Sequence, residues 1–316
     1  MFRAFPDRII PEIFHGRISL KTALITGIGG FLGGHLATIA ANRFRIVGLY
    51  HTFPVEIPNI RTLYGSLTDR TALLKILNKI QPDAIIHNAA MANPDDCEAN
   101  PSEAEAVNVG SSEFLAKWCE ENHRRLVFIS TDMVFDGTKG NYREEDKVNP
   151  LSVYAKTKAE AEKTVLAHCG NSLICRIALM YGRGVLNRPY GSEWLERKLI
   201  KRKNGIEINP VVLFSDQYRS MISVSNAAEA VIEATPKDIR GILHVAGSQR
   251  ISRFDFGKKL CAVLNIPETF IVSAKYDDAN IQTPRPKDVS LNISKARALL
   301  SIEFPDIETG LRQIYR

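Results

Sequence analysis

The sequence has no long run of apolar residues. Its longest apolar stretches, such as residues 84–86 and 176–180 of 316, are far shorter than the roughly 20 residues that a membrane-spanning helix needs. The first 21 residues lack the continuous apolar core of a signal peptide, and Asp7 and Glu12 argue against a transit peptide. We therefore expect a cytoplasmic protein in which residues 1–21 form a short N-terminal arm, without a membrane as partner.

Cysteine is scarce and follows no pattern. The chain holds 5 cysteines, an odd number, and they form neither a CxxC pair nor a metal-type spacing. They are Cys97, Cys119, Cys169, Cys175 and Cys261. The sequence therefore predicts buried, reduced thiols and no metal site. A hydrophobic content of 45%, a charged content of 24% and a mean hydropathy of -0.11 are typical of a soluble globular protein and exclude a disordered chain.

The chain has no excess of acidic residues, because its net charge is +6 and its isoelectric point is near 9.0. The densest basic cluster lies within residues 194–203, where it is best explained as the solvated face of one helix. It comprises Arg197, Lys198, Lys201, Arg202 and Lys203. We predict no nucleic-acid partner, and the positive balance suits a small anionic substrate or cofactor.

Short apolar strands alternate with amphipathic helices over the first part of the chain. Strands are predicted at 22–26, 45–50, 83–90, 125–130 and 172–177, and helices at 101–122 and 152–168. This alternation predicts an α/β fold, a doubly wound parallel sheet of the Rossmann type, with a smaller C-terminal substrate lobe. We assign residues 22–182 with 221–247 to the NAD(P)-binding Rossmann domain, and residues 183–220 with 248–316 to the substrate-binding lobe.

A glycine-rich turn follows the first predicted strand. Gly27, Gly30 and Gly33 form a GxxGxxG pattern between that strand and an amphipathic helix. Such glycines permit a tight turn, let backbone amides approach a pyrophosphate, and allow the helix to pack closely on the sheet. The predicted cradle of the cofactor comprises Gly27, Gly29, Gly30, Phe31, Leu32 and Gly33.

No acidic residue follows the second predicted strand. NAD-selective sites usually place Asp or Glu there to bond the ribose 2′-hydroxyl, whereas this chain has Tyr50 and His51. Without an acid to repel a 2′-phosphate, NADP(H) is the preferred cofactor and NAD(H) the alternative. Ser66 and Leu67 could flank the adenine, and the residues that end the strand at 83–90, which are Asn88, Ala89 and Ala90, leave room for a cofactor to lie close.

The stretch 125–158 predicts a group that transfers a proton. An apolar strand delivers Thr131 to its C-terminal end, and a helix then carries Tyr154 and Lys158, four residues apart on one face. An adjacent ammonium and a cationic nicotinamide would lower the pKa of a tyrosine from its ordinary ~10 toward neutrality. We therefore predict Thr131, Tyr154 and Lys158 as catalytic residues, with Lys158 also bonding the ribose.

The motifs TGIGGFLG, HNAA, STD and YAKTK resemble those of the extended short-chain dehydrogenase/reductase family. More narrowly, the stretch STDMVFDGTKGNYREEDKVNPLSVYAKTKAEAE is similar to the corresponding part of dTDP-4-dehydrorhamnose reductases, and the likeness extends from Lys21 over most of the chain. The resemblance implies NAD(P)H-dependent reduction of a keto group on a nucleotide-linked deoxysugar. Hydride would reach the ketone carbon while Tyr154 donates a proton to its oxygen.

Three residues are candidates for the substrate side. Arg219 and Arg285 offer guanidinium groups to diphosphate or sugar oxygens. Met133 stands where rhamnose reductases carry Tyr and where sugar-nucleotide 4,6-dehydratases carry Glu, so the chain is not expected to be a dehydratase. An epimerase using the same residues stays open, as does a cofactor-binding partner protein like the regulatory beta subunit of methionine adenosyltransferase. A homodimer is also left open.

Overall fold

A computed structural model describes residues 20–186, 190, 193–279 and 281–315, so the predicted arm lies outside the described residues apart from its last two. The strands are β1 (Thr22–Thr26), β2 (Arg45–Tyr50), β3 (Arg61–Tyr64), β4 (Ala84–His87), β5 (Arg125–Thr131), β6 (Ser172–Ile177), β7 (Met180–Tyr181), β8 (Val211–Phe214), β9 (Tyr218–Arg219), β10 (Ile222–Ser223), β11 (Gly241–Val245), β12 (Ile251–Ser252) and β13 (Ile271–Ala274). Seven of these described strands form one parallel sheet in the order β11-β6-β5-β4-β1-β2-β3. The Rossmann-type fold class is therefore confirmed.

Helices cover both faces of this sheet. They are α1 (Phe31–Ala40), α2 (Arg70–Ile80), α3 (Pro94–Ala99), α4 (Pro101–Glu105), α5 (Ser111–Glu121), α6 (Val153–His168), α7 (Trp194–Lys203), α8 (Val224–Ala234), α9 (Arg253–Val263), α10 (Ser294–Leu299) and α11 (Ile307–Ile314). Successive residues of a strand point to opposite faces, so Ile25 packs with α1 and α8 while Leu24 packs with α2, α5 and α6. Strands β1, β4, β5 and β6 are buried on both faces, which is why they are mostly apolar, whereas the edge strand β3 is partly exposed. Among the described residues, no helix has both the length and the apolar character to cross a membrane.

The strand order reverses at β1, whose neighbours are β2 on one side and β4 on the other. In open parallel sheets, ligands bind in the crevice beyond the carboxyl ends of the strands at such a reversal. The glycine turn follows β1, residues 88–90 follow β4, and Thr131 ends β5. The fold therefore gathers these separately predicted stretches at one edge.

A separate apolar cluster lies on the C-terminal side of the chain. It joins α7, α9 and α11 with the paired strands β8 and β13 around buried residues such as Leu199, Leu213 and Leu260. This cluster is consistent with a second lobe, whereas the domain boundaries assigned from the sequence stay a prediction.

One local feature differs from the sequence-based expectation. The helix predicted over 101–122 is interrupted by a π-helical turn at Ala106–Gly110 between α4 and α5. Elsewhere the helix ends follow ordinary capping chemistry: Asp69 caps α2, where its carboxylate accepts a bond from the Ala72 amide, which has no partner within the helix.

Candidate active site

The glycine turn is held tightly against the ends of the neighbouring strands. Gly27 has a φ of +67°, and a Cβ there would lie 2.8 Å from the Ala89 backbone. The Asn88 side chain donates to the Gly27 carbonyl at 3.1 Å, and the Ala89 amide donates to the Thr26 hydroxyl at 3.1 Å. A Cβ on Gly33 would lie 2.1 Å from the Gly27 carbonyl oxygen, so this glycine is required for close packing of α1.

Gly30 is different, because a Cβ there would meet the Gly27 oxygen only at 3.2 Å and the Asn88 amide nitrogen at 3.6 Å. It caps α1, whose first turn has no acidic residue and whose free amides suit an anion. The Gly29 carbonyl accepts a bond from the Tyr190 hydroxyl at 3.4 Å, and the Phe31 ring packs on Tyr190. Leu32 is buried in the core, so only its backbone could contact a cofactor.

The residues predicted around the adenine ribose lie at the ends of β2 and β3. The Tyr50 ring contacts Tyr64 with 6.1 Å between ring centroids, and His51 stacks on Tyr64 at 5.9 Å. Ser66 bonds the Thr68 hydroxyl, while Leu67 packs against the apolar core. The four predicted residues therefore lie on one side of the glycine turn and surround an exposed aromatic surface.

Thr131 and Tyr154 meet at the carboxyl end of β5. Ser152 caps α6 through the Ala155 amide, and this start places Tyr154 in the first turn beside the strand end. The Thr131 hydroxyl accepts a bond from the Met133 amide at 3.2 Å and interacts with the Tyr154 phenol. Met133 therefore lies next to the predicted catalytic hydroxyl, in the short 3₁₀ turn Asp132–Val134.

Lys158 is buried beneath this pair. Its ammonium donates to the Ile129 carbonyl at 2.6 Å and lies 3.9 Å from the centroid of the Phe128 ring. Burial lowers the pKa of Lys158 to about 7, and the nearby Glu162 opposes this shift. The side chain can therefore change its protonation state in the neutral range.

The pKa of Tyr154 is raised, which is the opposite of the predicted direction. Burial raises it most, the hydrogen bond with Thr131 lowers it, and the negative charge of Asp132 raises it further. The expected lowering needed an ammonium close to the phenol and a cationic nicotinamide. In the protein alone, Lys158 bonds the β5 backbone instead, so the protein without cofactor holds Tyr154 as a neutral phenol, the form that can donate a proton.

We expect Lys158→Met to stabilise the fold near neutral pH. The folded pKa of about 7 lies below the ordinary 10.5, so the unfolded chain binds the additional proton between these values. The free energy of unfolding of the wild type therefore rises with pH across this window and is lowest at and below pH 7. Removing the amine should add on the order of a few kcal/mol at pH 7 and flatten the pH dependence. Urea unfolding at several pH values measures both effects.

Lys156→Met is the matched control, because Lys156 is exposed on the same helix. It should leave the pH dependence of unfolding unchanged. At pH 7, Lys158→Met should have a higher free energy of unfolding than the wild type. An equal or lower value would contradict the conclusion that the buried amine of Lys158 destabilises the fold.

Two buried polar side chains near the site were missed from the sequence. Asn108, in the π-helical turn, accepts a bond from the Met91 amide at 2.8 Å and donates to the Met91 carbonyl and the Thr157 hydroxyl. His87 bonds the hydroxyls of Thr26 and Ser111, and burial lowers its pKa to about 3, so it is neutral. The signal for Asn108 in the sequence was a single amide side chain on the buried face of a predicted helix. Its place in a π-helical turn adds to that signal, because such turns often lie at functional sites.

Arg219 and Arg285 occupy different environments. Arg219 is buried and donates to the carbonyls of Tyr218, Pro286 and Lys287, and its guanidinium lies 4.0 Å from Asp132. Arg285 is half-buried, pairs with Asp95 at 3.2 Å and lines a cavity of about 290 Å³. Arg219 therefore links the strand end to the C-terminal segment, while Arg285 faces open space.

Arg253, which the sequence did not single out, lines the same cavity beside Trp194, Tyr181 and Met221. Burial and the positive charges of Arg219 and Arg285 together lower the pKa of Arg253 to about 10, while Asp132 opposes the shift. Within the described part of the chain, no carboxylate forms an ion pair with Arg253. Arg219 pairs with Asp132, and Arg285 pairs with Asp95. Arg253 is therefore a guanidinium on the cavity wall that lacks a carboxylate partner among the described residues.

The chain resembles several characterised proteins over nearly its full length. It is 30% identical over 297 residues to the probable low-salt glycan biosynthesis reductase Agl14 of Haloferax volcanii, covering 92% of this chain and 95% of that protein. It is 28% identical to the methionine adenosyltransferase 2 subunit beta of Mus musculus, covering 94% of this chain and 87% of that protein.

Among solved structures, a hypothetical dTDP-4-dehydrorhamnose reductase from Sulfolobus tokodaii is 33% identical, with a TM-score of 0.77, and the match covers 92% of this chain and 98% of that one. The family model described as the RmlD substrate binding domain matches residues 21–316. That match spans the parallel sheet, the glycine turn, the Thr131 and Tyr154 pair and the C-terminal cavity. The chain therefore belongs to the RmlD substrate binding domain family.

Proposed function

We propose that the protein is an NAD(P)H-dependent reductase of a 4-keto group on a nucleotide-linked deoxysugar. The observation that carries this proposal is the meeting of Thr131 and Tyr154 at the carboxyl end of β5, beside the glycine turn. A neutral phenol next to a hydroxyl can receive a ketone oxygen between two hydrogen-bond donors. The similarity to two reductases over more than nine-tenths of the chain supports the same reaction.

The residues around the glycine turn fit a nicotinamide cofactor. The turn has no side chain at Gly27 or Gly30, and the N-terminus of α1 presents free amides that suit a pyrophosphate. When bound, the cofactor would supply the hydride for the ketone carbon. Tyr154 would donate its proton to the ketone oxygen, Thr131 would bond the same oxygen, and Lys158 would bond the ribose after leaving the Ile129 carbonyl.

The guanidinium of Arg253, which has no carboxylate partner among the described residues, suits the diphosphate of a nucleotide sugar. Arg253 and Arg285 both face this space, and guanidinium groups bind phosphate oxygens through paired hydrogen bonds. Met133 adjoins the Thr131 hydroxyl and would contact the sugar. Arg219 would act indirectly, because its own donors are occupied by the carbonyls of the C-terminal segment.

Turnover tests the function directly. Purified protein would be incubated with NADPH and a panel of dTDP-, GDP- and UDP-linked 4-keto sugars, while the nicotinamide absorbance is followed. We expect oxidation of NADPH with at least one of these compounds. An epimerase would convert a sugar nucleotide without net oxidation, so product analysis separates the two enzymes.

A regulatory subunit is the second candidate, because the mouse beta subunit matches 94% of this chain. Such a role needs cofactor binding without turnover. If NADPH binds but is not oxidised with any sugar nucleotide of the panel, the result would favour this alternative and exclude the reductase function.

We expect NADPH to bind about tenfold more tightly than NADH. No carboxylate follows Tyr50 and His51 to repel the 2′-phosphate, and the imidazole of His51 can donate a hydrogen bond to it. Fluorescence titration of both cofactors measures the ratio. Tyr50→Asp should reverse the preference by adding a negative charge at the end of β2. Equal affinities in the wild type would overturn this reading.

Arg253→Met should raise KM for the sugar nucleotide by about tenfold or more, with a smaller effect on kcat and none on the Kd of NADPH. Methionine keeps most of the side-chain volume but removes a charge-assisted bond to the diphosphate. Arg250→Met is the matched control, since Arg250 pairs with Asp288 on the outer surface three residues away. An unchanged KM for Arg253→Met would exclude Arg253 from the substrate site.

The buried, free cysteines also suit a reducing compartment, which supports a cytoplasmic location.

A homodimer stays part of the proposal, and the elution volume of the purified protein in size-exclusion chromatography would test it.

A further inference from the structure

A buried ion pair lies directly behind Lys158 and has no part in the reaction described above. The Arg176 guanidinium donates to both carboxylate oxygens of Glu162, with distances of 3.0, 3.1 and 2.7 Å. The Ser130 hydroxyl donates to the same carboxylate at 2.5 Å. Both charged side chains are 3% exposed. Buried pairs are costly to assemble, which invites the question of what this one does.

Its geometry connects it to the predicted catalytic residues. Glu162 follows Lys158 by one turn of α6, so the two side chains lie on the same helical face. Lys158 bonds the carbonyl of Ile129, while Glu162 bonds the hydroxyl of Ser130. Helix α6 thus holds two successive residues of β5, immediately before Thr131. Sliding of the helix along the strand would break both bonds, so they fix Tyr154 relative to Thr131.

The Glu162 carboxylate of this pair also acts on the charge of Lys158. The groups shown to interact with Lys158 are the Phe128 ring from β5, Glu162 from α6 and His87 from β4. His87 is neutral because burial lowers its pKa to about 3, and Tyr154 is a neutral phenol. Arg176 on β6 contributes a positive charge but is bonded to Glu162. Glu162 is therefore the group that favours the protonated amine among the described residues around it.

We propose that Glu162 is a positioning residue for Lys158: held by Ser130 and Arg176, its carboxylate favours the protonated form of the amine and keeps α6 in register with Thr131. This inference rests on the proposed function for its catalytic consequence. The charge of Lys158 itself can be measured without any substrate.

The direct test is an NMR titration of the protein grown with lysine labelled at Cε, whose chemical shift follows ionisation. Loss of the signal in Lys158→Arg assigns the resonance. Glu162→Gln keeps the shape of the side chain and removes its charge, so the midpoint of Lys158 should fall by about one pH unit. Ser130→Ala retains the carboxylate and should change the midpoint little.

Two further variants address stability. Glu162→Gln leaves Arg176 without its partner and could unfold the chain, so the double variant Glu162→Gln/Arg176→Met removes both charges and should still lower the midpoint. Arg125→Met is the control for a buried cation at the opposite end of β5, where Arg125 bonds Asn171 and Ile239. It should reduce stability and leave the Lys158 midpoint unchanged.

Kinetics provide the second readout. In Glu162→Gln the alkaline limb of kcat/KM should move down by about one pH unit, so that the rate on that limb falls roughly tenfold. The proposal is overturned if the Lys158 midpoint in Glu162→Gln equals that of the wild type. If Glu162→Gln does not fold, the same comparison is made with the double variant. Absence of turnover in the wild type would instead remove the reductase function, and the NMR midpoint would still decide the role of Glu162.

Discussion

Tyr154→Phe is expected to reduce kcat by about 10²–10⁴-fold, the range found when a positioned general acid is removed. Tyr154 is half-buried, and its pKa is raised above the ordinary value, so the phenol keeps its proton until the ketone oxygen arrives. Phenylalanine fills the same space and leaves Thr131 in place. The Kd of NADPH should therefore stay within about twofold of the wild type. Steady-state kinetics and fluorescence titration measure the two quantities.

Tyr142→Phe is the matched control, because the hydroxyl of this buried tyrosine donates to Asp136 at 2.7 Å and accepts a bond from the Lys139 amide at 3.2 Å. It should lose about 2 kcal/mol of stability, as expected for two hydrogen bonds, with kcat nearly unchanged. If Tyr154→Phe retains more than about one tenth of the wild-type kcat, another group donates the proton and Tyr154 loses that role.

Much of the fold was predictable because it depends on local patterns. Strands β1, β2 and β6 occupy the predicted residues, since continuous apolar runs mark strands that are covered on both faces. The GxxGxxG spacing identified the turn after β1, and the spacing of Tyr154 and Lys158 identified the face of α6. Even the start of α6 follows from Ser152, whose hydroxyl caps the helix.

Other features depend on contacts between residues far apart in sequence, which local patterns do not reveal. The lowered pKa of Lys158 follows from its burial against β5, about 29 positions earlier in the chain. Arg253 became a candidate for binding the substrate only because folding places it beside Arg285 in one cavity. Arg219 looked like a free guanidinium in the sequence, yet carbonyls of residues 286 and 287 occupy it. The positions of the candidate catalytic residues on β5 and α6 were therefore easier to predict than the electrostatics around them.

Gly30→Val is expected to weaken NADPH binding by at least about 100-fold while the protein remains folded. The φ of Gly30 is -74°, which any residue adopts, and a Cβ 3.2 Å from the Gly27 carbonyl oxygen would require that oxygen to shift by only a few tenths of an ångström. The branched side chain would then project at the N-terminus of α1, where the pyrophosphate must approach the backbone amides. Valine is a poor helix cap, so we also expect a loss of about 1 kcal/mol in stability. Calorimetry measures the affinity.

Two other glycines separate this effect from general damage. Gly33→Ala would place its Cβ 2.1 Å from the Gly27 oxygen, so it should disrupt the turn and lower the melting temperature markedly. Gly170→Val lies where a Cβ would have 3.8 Å of clearance, and it should leave NADPH binding unchanged. The Gly30 variant therefore tests the space for a ligand, whereas the Gly33 variant tests the packing of helix α1. Normal NADPH affinity in a folded Gly30→Val protein would place the cofactor elsewhere, because no pyrophosphate could share that space with the valine methyls.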